Sequence, residues 1–261
     1  MKFTEKQKKE FFKNGYLIAK KLFSTEEIET LAKTTKADAE FTEHDDHLVD
    51  SEGLKTVLNI RYRLQNDISS AFVASQRIVE NMEFLLDDEV YHYHHKMTLK
   101  QAKIGGAWEW HQDYGYWYNN ACLYPDMASC AISIDPSTKE NGCLKLLKGS
   151  HLCGRINHGE VGSQTGADIE RVKELEKNLD LVYAEMDPGD ALFFHSNTLH
   201  CSSANLSPNP RWLLIGCYNT KHNNPYSEES GLPLYHRLER VADDELLDLA
   251  IEFHQKSQKS V

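Results

Sequence analysis

The residues best suited to chemistry stand in two groups, Trp108-Glu109-Trp110-His111-Gln112-Asp113 and a later one running from Gly189-Asp190 through His195 and His200 to Arg211. In an extended strand, residues i and i+2 project to the same face. On one strand, His111 and Asp113 would therefore offer an imidazole nitrogen and a carboxylate oxygen to a single metal ion. A histidine of the later group completes two imidazoles and a carboxylate, the set that leaves positions open on a non-heme Fe(II) ion. Open positions admit a bidentate co-substrate and then dioxygen. His195 and His200 compete for the third place. The H-x-D pair alone is weak evidence, since three-residue patterns arise by chance in many proteins. Arg211 adds to it. A guanidinium pairs bidentately with a carboxylate, which is the grip a 2-oxoacid needs at its remote end while its other end chelates metal.

The order of these motifs resembles the phytanoyl-CoA dioxygenase family, including its ectoine-hydroxylase branch. The likeness is carried by Trp110-His111-Gln112-Asp113, then Asn141-Gly142-Cys143-Leu144 and Gly149-Ser150-His151. It continues through Gly189-Asp190, Phe194-His195 and His200-Cys201-Ser202-Ser203-Ala204-Asn205 to Arg211, eleven residues after His200. The opening Phe11-Phe12-Lys13-Asn14-Gly15-Tyr16-Leu17 is also similar to the family's start. The resemblance implies a mainly β fold with flanking helices around a double-stranded β-helix core, a cupin-like jelly roll. It maps the iron ligands to His111, Asp113 and His200, leaving His195 to packing. Arg211 maps to the residue that binds the far carboxylate of 2-oxoglutarate, with Ser202 beside it. His94, Lys96, Thr98 and Lys100 would share one strand face, on which the family places further co-substrate contacts; Thr98 and Lys100 are the candidates. Gln112, Tyr114, Tyr116 and Trp117, with Lys96 and His94, are candidates to shape the substrate pocket.

The reaction so implied is hydroxylation of a C–H bond in a small molecule, with Fe(II) as cofactor and O2 as oxidant. 2-Oxoglutarate is decarboxylated to succinate and CO2. In related halogenases a small residue replaces the carboxylate ligand, so Asp113 points to hydroxylation or another oxidation. Two alternatives stay open: a cupin-type metal enzyme that works without 2-oxoglutarate, and a member that has lost catalysis and serves as a binding module. His151 is expected to be structural, as are the alternating residues of Tyr91–His95. Trp108, Trp110 and Trp212 are expected in the core, and Cys201 is expected to face away from His200.

The elements that must position these residues are legible from caps and periodicity. Thr4-Glu5-Lys6-Gln7 and Ser24-Thr25-Glu26-Glu27 fit the capping box. Between them Gly15–Ala19 reads as a strand, and Ile28, Leu31 and Ala32 form the buried stripe of a second helix. Residues 41–56 are polar and acidic, an expected loop, and 68–86 has helical spacing. From residue 88 the texture turns to short strands and turns. Strands are expected at Val90–Leu99, Ser129–Ile134, Lys145–Leu147, Val182–Met186, Ala191–His195, His200–Ala204 and Trp212–Asn219. Residues 158–179 read as a loop leading into a helix at Asp168–Lys177, and a last helix is expected at Asp243–Phe253. The whole is expected to be a single domain over 1–261: a mainly helical part over 1–87, the β-helix core over 88–220 and a helical tail over 221–261. Segments 41–66, 114–127 and 154–170 are expected to wall the pocket.

Bulk properties narrow the partners. The chain has 261 residues and a formal net charge of −11, which argues against nucleic acid or an anionic membrane, since both reward basic patches. The six cysteines include no C-x-x-C pair, so neither a zinc knuckle nor a thioredoxin-like motif is signalled. The charged opening residues have no apolar signal core. Reduced thiols and a cytoplasmic monomer or homodimer are therefore expected.

Overall fold

The computed structural model of the chain describes residues 1–38, 47–161, 163–227 and 233–259. Helix α1 (Glu5–Asn14) starts at Thr4, whose hydroxyl accepts from the Gln7 amide while the Gln7 side chain reaches back. It stops at Gly15, with φ 82°. Only glycine suits that turn, because a Cβ there would lie 2.5 Å from His151 Nδ1. Strand β1 (Tyr16–Ala19) follows, and helix α2 (Thr25–Ala37) opens on the second capping box, at Ser24 and Glu27. Ile28 and Leu31 are buried as their spacing predicts, and Ala32 packs half-buried against the same core.

The chain continues through β2 (His47–Val49), β3 (Lys55–Arg61), α3 (Ile68–Val73), α4 (Gln76–Leu86), β4 (Val90–Lys100), β5 (Trp108–His111), α5 (Asp113–Trp117) and β6 (Met127–Ser133). Next come β7 (Leu144–Leu147), β8 (His158–Val161), β9 (Gln164–Ala167), α6 (Ile169–Asn178), β10 (Leu181–Tyr183), β11 (Ala191–His195), β12 (His200–Ser202), β13 (Arg211–Thr220) and α7 (Leu246–Lys259). One antiparallel sheet runs β1-β11-β6-β13-β4-β3-β2, a second runs β10-β7-β12-β5, and β8 pairs with β9. Two sheets with helices outside them form the expected jelly-roll architecture.

The large sheet is buried on both faces, and its strands show why. On β11, Ala191 and Phe193 join the core shared with the helices, while Leu192 and Phe194 join the core between the sheets. On β13, Leu214 faces the helices, whereas Leu213 and Ile215 face the second sheet. Such strands read as continuous apolar runs. This is also why β6 is buried at every position.

Several expectations are corrected. Of the expected loop over 41–56, residues 41–46 lie outside the described residues, but β2 and the start of β3 occupy the rest. An edge strand of three residues is too short to show a period. The helical stretch over 68–86 is two helices, because Ala74 and Gln76 turn their backbone bonds to Val241. Within the expected loop, His158–Val161 pairs with Gln164–Ala167 as the β8–β9 hairpin. The strand expected over Val182–Met186 is only Leu181–Tyr183, and the last helix begins at Leu246 because Asp243 pairs with Arg77. Among the described residues no helix is long and apolar enough to cross a membrane.

His222 ties three strand ends together. Its Nδ1 lies 2.7 Å from Asp88, before β4, and its Nε2 2.9 Å from Asp126, before β6. The Asp88 hydrogen bond leads the causes that raise its pKa. The tie is therefore complete below the unfolded pKa of about 6.5 and is lost as pH rises through the higher folded value. His222→Ala should lower the urea midpoint at about pH 5.5 but not at about pH 9, by less than about 1 kcal/mol because the ring is half exposed. An equal loss at both pH values would show that the ring contributes only packing.

Candidate metal centre

The first correction concerns the H-x-D pair itself. Strand β5 ends at His111, Gln112 stays extended, and Asp113 is the first residue of α5. The imidazole thus comes from a strand end and the carboxylate from a helix start. Gln112 makes the turn. Its amide donates to the Gly154 and Asn197 carbonyls at 2.8 Å each and accepts from Ile156 N–H at 2.7 Å. With every polar group engaged it fixes three segments and does not line the cavity. His200 arrives on β12 as the direct cross-strand partner of His111, with ring centroids 4.1 Å apart.

The hydrogen bonds around this trio orient its free atoms. His111 Nδ1 lies 2.7 Å from the Glu109 carbonyl and His200 Nδ1 2.9 Å from the Thr198 carbonyl. A carbonyl can only accept, so each Nδ1 carries the proton and each Nε2 keeps its lone pair. Both Nε2 atoms are 4.0 Å from Asp113 Oδ1, while Ser129 Oγ donates to Asp113 Oδ2 at 2.9 Å. Three ligand atoms within 4.8 Å of one another are suited to one divalent ion. Burial and mutual proximity hold His111 well below the usual histidine range, and burial lowers His200 too. Burial alone would raise the Asp113 pKa, but Lys96, His200, His111 and Ser129 overcome it and keep the carboxylate ionised.

A second polar group lies behind the trio. Arg211 opens β13 directly opposite Lys100 on β4, so two buried cations are cross-strand neighbours. Like charges in that position are destabilising unless an anion joins them. Arg211 Nε and Nη1, Thr98 Oγ1 and Ser202 Oγ are all buried without a hydrogen-bond partner. Burial pushes the Arg211 pKa down to about 10. A buried guanidinium with two unpartnered nitrogens, on the same cavity wall as the unpartnered Thr98 hydroxyl, fits a bound carboxylate well. Lys100 does not join them as expected, because its ammonium donates to the Gly106 and Ser203 carbonyls and it is no part of the cavity wall.

The trio, Thr98 and Arg211 open onto a cavity of about 310 Å3, whereas Ser202, expected beside Arg211, is not part of its wall. His94, Lys96, Thr98, Trp117 and Arg211 line it as expected, together with Tyr116. The expected wall segments all contribute, through Leu48, Ile60 and Tyr62, through Asn120, and through Ser163, Gln164 and Thr165 of the hairpin turn and β9. Tyr114 does not. It is buried with its hydroxyl on the Cys122 carbonyl. Trp108, expected in the core, is a wall residue, and so is Tyr93. Tyr93 and His94 are consecutive yet both reach the cavity, because a register shift opposite Cys217 and Tyr218 breaks the alternation of β4. His195 stands apart, accepting from Asn197 N–H and packing on His151 and Phe11. Cys201 turns toward Lys145, and burial pushes its thiol up to about 12.

Comparison with known proteins agrees with this geometry. Residues 11–212 match the family model described as Phytanoyl-CoA dioxygenase. An L-proline trans-4-hydroxylase from Streptomyces griseoviridis is 30% identical over 179 residues, covering 61% of this chain and 66% of that protein. An ectoine dioxygenase from Sphingopyxis alaskensis is 25% identical over 251 residues, covering 89% of this chain and 82% of its own length. Among solved structures, EctD from S. alaskensis with 2-oxoglutarate and 5-hydroxyectoine superposes with a TM-score of 0.76 at 22% identity, over 92% of this chain and 88% of that one.

Proposed function

The chain belongs to the phytanoyl-CoA dioxygenase family and is an Fe(II)- and 2-oxoglutarate-dependent dioxygenase; we propose that it hydroxylates a C–H bond of a small molecule at the site built on His111, Asp113 and His200. The observation that carries the assignment is the presence of that trio and Arg211 on the wall of one cavity, the buried guanidinium having two unpartnered nitrogens. In this reading His111 Nε2, His200 Nε2 and Asp113 Oδ1 hold the iron. Arg211 grips the far carboxylate of 2-oxoglutarate, and Thr98 completes its seat. Bound iron and 2-oxoglutarate supply the oxidising power, consuming O2 and releasing succinate and CO2.

The protein's own contribution is orientation and exclusion of water. The carbonyls of Glu109 and Thr198 hold both imidazoles in one tautomer, and Ser129 directs Asp113 Oδ1 inward. The β8–β9 hairpin covers the site, fixed by Gln164 to Glu109 N–H and the Ala107 carbonyl and by the Tyr116 hydroxyl on the Thr165 carbonyl. A metal enzyme without co-substrate has no use for a buried Arg211, which favours the 2-oxoglutarate reading over its cupin-type alternative. The reading takes residues 1–261 as one catalytic domain, working in the cytoplasm as a monomer or homodimer, with neither nucleic acid nor membrane as partner.

Anaerobic addition of Fe(II) and 2-oxoglutarate should produce a weak visible charge-transfer band in the unaltered protein and none in His200→Ala. No band in either protein would remove the assignment.

A further inference from the structure

The cavity wall away from Arg211 has an unanswered positive charge. Among the described lining residues, histidines and tyrosines aside, the ionisable groups are Lys96, Arg211 and Asp113. Lys96 is mostly buried on β4, and the acceptor facing its ammonium is Asp113 Oδ1 at 3.5 Å. Charge-assisted hydrogen bonds run to roughly 2.7–2.9 Å, so this contact leaves ammonium N–H groups unsatisfied. Asp113 is itself committed to the metal and to Ser129. With divalent iron and doubly charged 2-oxoglutarate in place, Lys96, Arg211 and Asp113 leave the cavity one positive charge in excess. A closed, water-poor site strongly favours an anion that cancels it.

The rest of that wall is flat and aromatic. Trp117 meets Tyr93 and His94 edge-on at 5.4 and 5.6 Å, and Tyr62 meets His94 at 5.9 Å. Burial and the neighbouring Lys96 keep His94 neutral, with its pKa down to about 3. These rings, packed on one another, present an apolar surface to the cavity on which a guest ring can pack.

Resting on the oxygenase reading above, we propose that the substrate is a ring-sized apolar organic anion, such as a carboxylic acid, whose negative group pairs with Lys96 while its ring lies against Trp117 and His94. A free ammonium group finds no acceptor there, since Asp113 is the one carboxylate among the described lining residues.

The test uses enzyme loaded anaerobically with Fe(II) and 2-oxoglutarate. Three probes of one shape, 3-phenylpropionate, 3-phenylpropanamide and 3-phenylpropylamine, are titrated while the visible band and tryptophan fluorescence are followed. The acid should bind at least about tenfold tighter than the amide, and the amine not at all. Lys96→Met should abolish the preference and Lys96→Arg keep it, as read by tryptophan fluorescence. Equal binding of all three, binding of none, or a preference surviving Lys96→Met would overturn the substrate class. Failure of the band in the unaltered enzyme is a different result, and it removes the oxygenase reading instead.

Discussion

Replacing Arg211 with methionine is expected to move activity and stability in opposite directions. Arg211 is buried, faces Lys100 across the strand pair, and has two nitrogens without partners. The guanidinium is therefore an unfavourable charge in the metal-free fold and a favourable one only when a carboxylate joins it. Methionine fills similar volume without charge, so unloaded Arg211→Met should gain about 1–3 kcal/mol in urea unfolding. Loss of a buried charged hydrogen-bonding partner costs about 2–5 kcal/mol. For 2-oxoglutarate that is a drop in kcat/KM of roughly 30- to 4,000-fold. The stabilisation seen on adding 2-oxoglutarate should vanish as well. A variant less stable than the parent in the unloaded state would mean that Arg211 is held by the fold and not reserved for a ligand.

The second large effect belongs to Asp113. Asp113→Asn removes the charge that faces Lys96 at 3.5 Å and the two imidazole nitrogens at 4.0 Å. Iron binding and turnover should fall to background. Because Lys96 then stands as a buried cation without a counter-charge, unfolding free energy should drop by about 3–5 kcal/mol. Adding Lys96→Met should recover most of that stability and none of the turnover. The two effects would then separate in a double-mutant cycle. Additive stability losses in the double variant would refute the coupling.

The parts of the site that were legible in the sequence are those that depend on short spacing or on an isolated charge in an apolar run. The capping boxes at Thr4 and Ser24 formed as their side chains predict. The trio His111, Asp113 and His200 came together, although not on one strand, because a two-residue separation also brings side chains together across a strand-to-helix turn. Arg211 stood out because a guanidinium can grip a carboxylate and because it stands eleven residues after His200, as in the family pattern. Other features depended on pairing that local pattern does not encode. The register shift that sends both Tyr93 and His94 into the cavity is set by β13, more than a hundred residues away. Trp108 became a wall residue because it sits at the start of β5, an edge strand. Lys100 has the same parity as Thr98, but the chain bends back at Gly105–Gly106 and takes its ammonium with backbone carbonyls. Gln112 and Tyr114, adjacent to the ligands in sequence, are turned away from the cavity into the interior by the start of α5.

His111 and His200 are directly opposed on β5 and β12, with β5 at the border of its sheet. Slippage of β5 by a single residue would turn the His111 imidazole to the opposite side of the sheet from His200. An ion held by both rings would therefore act as a rivet on the outermost strand. It would lock the alignment of two segments far apart in the chain and hold the outermost strand in register.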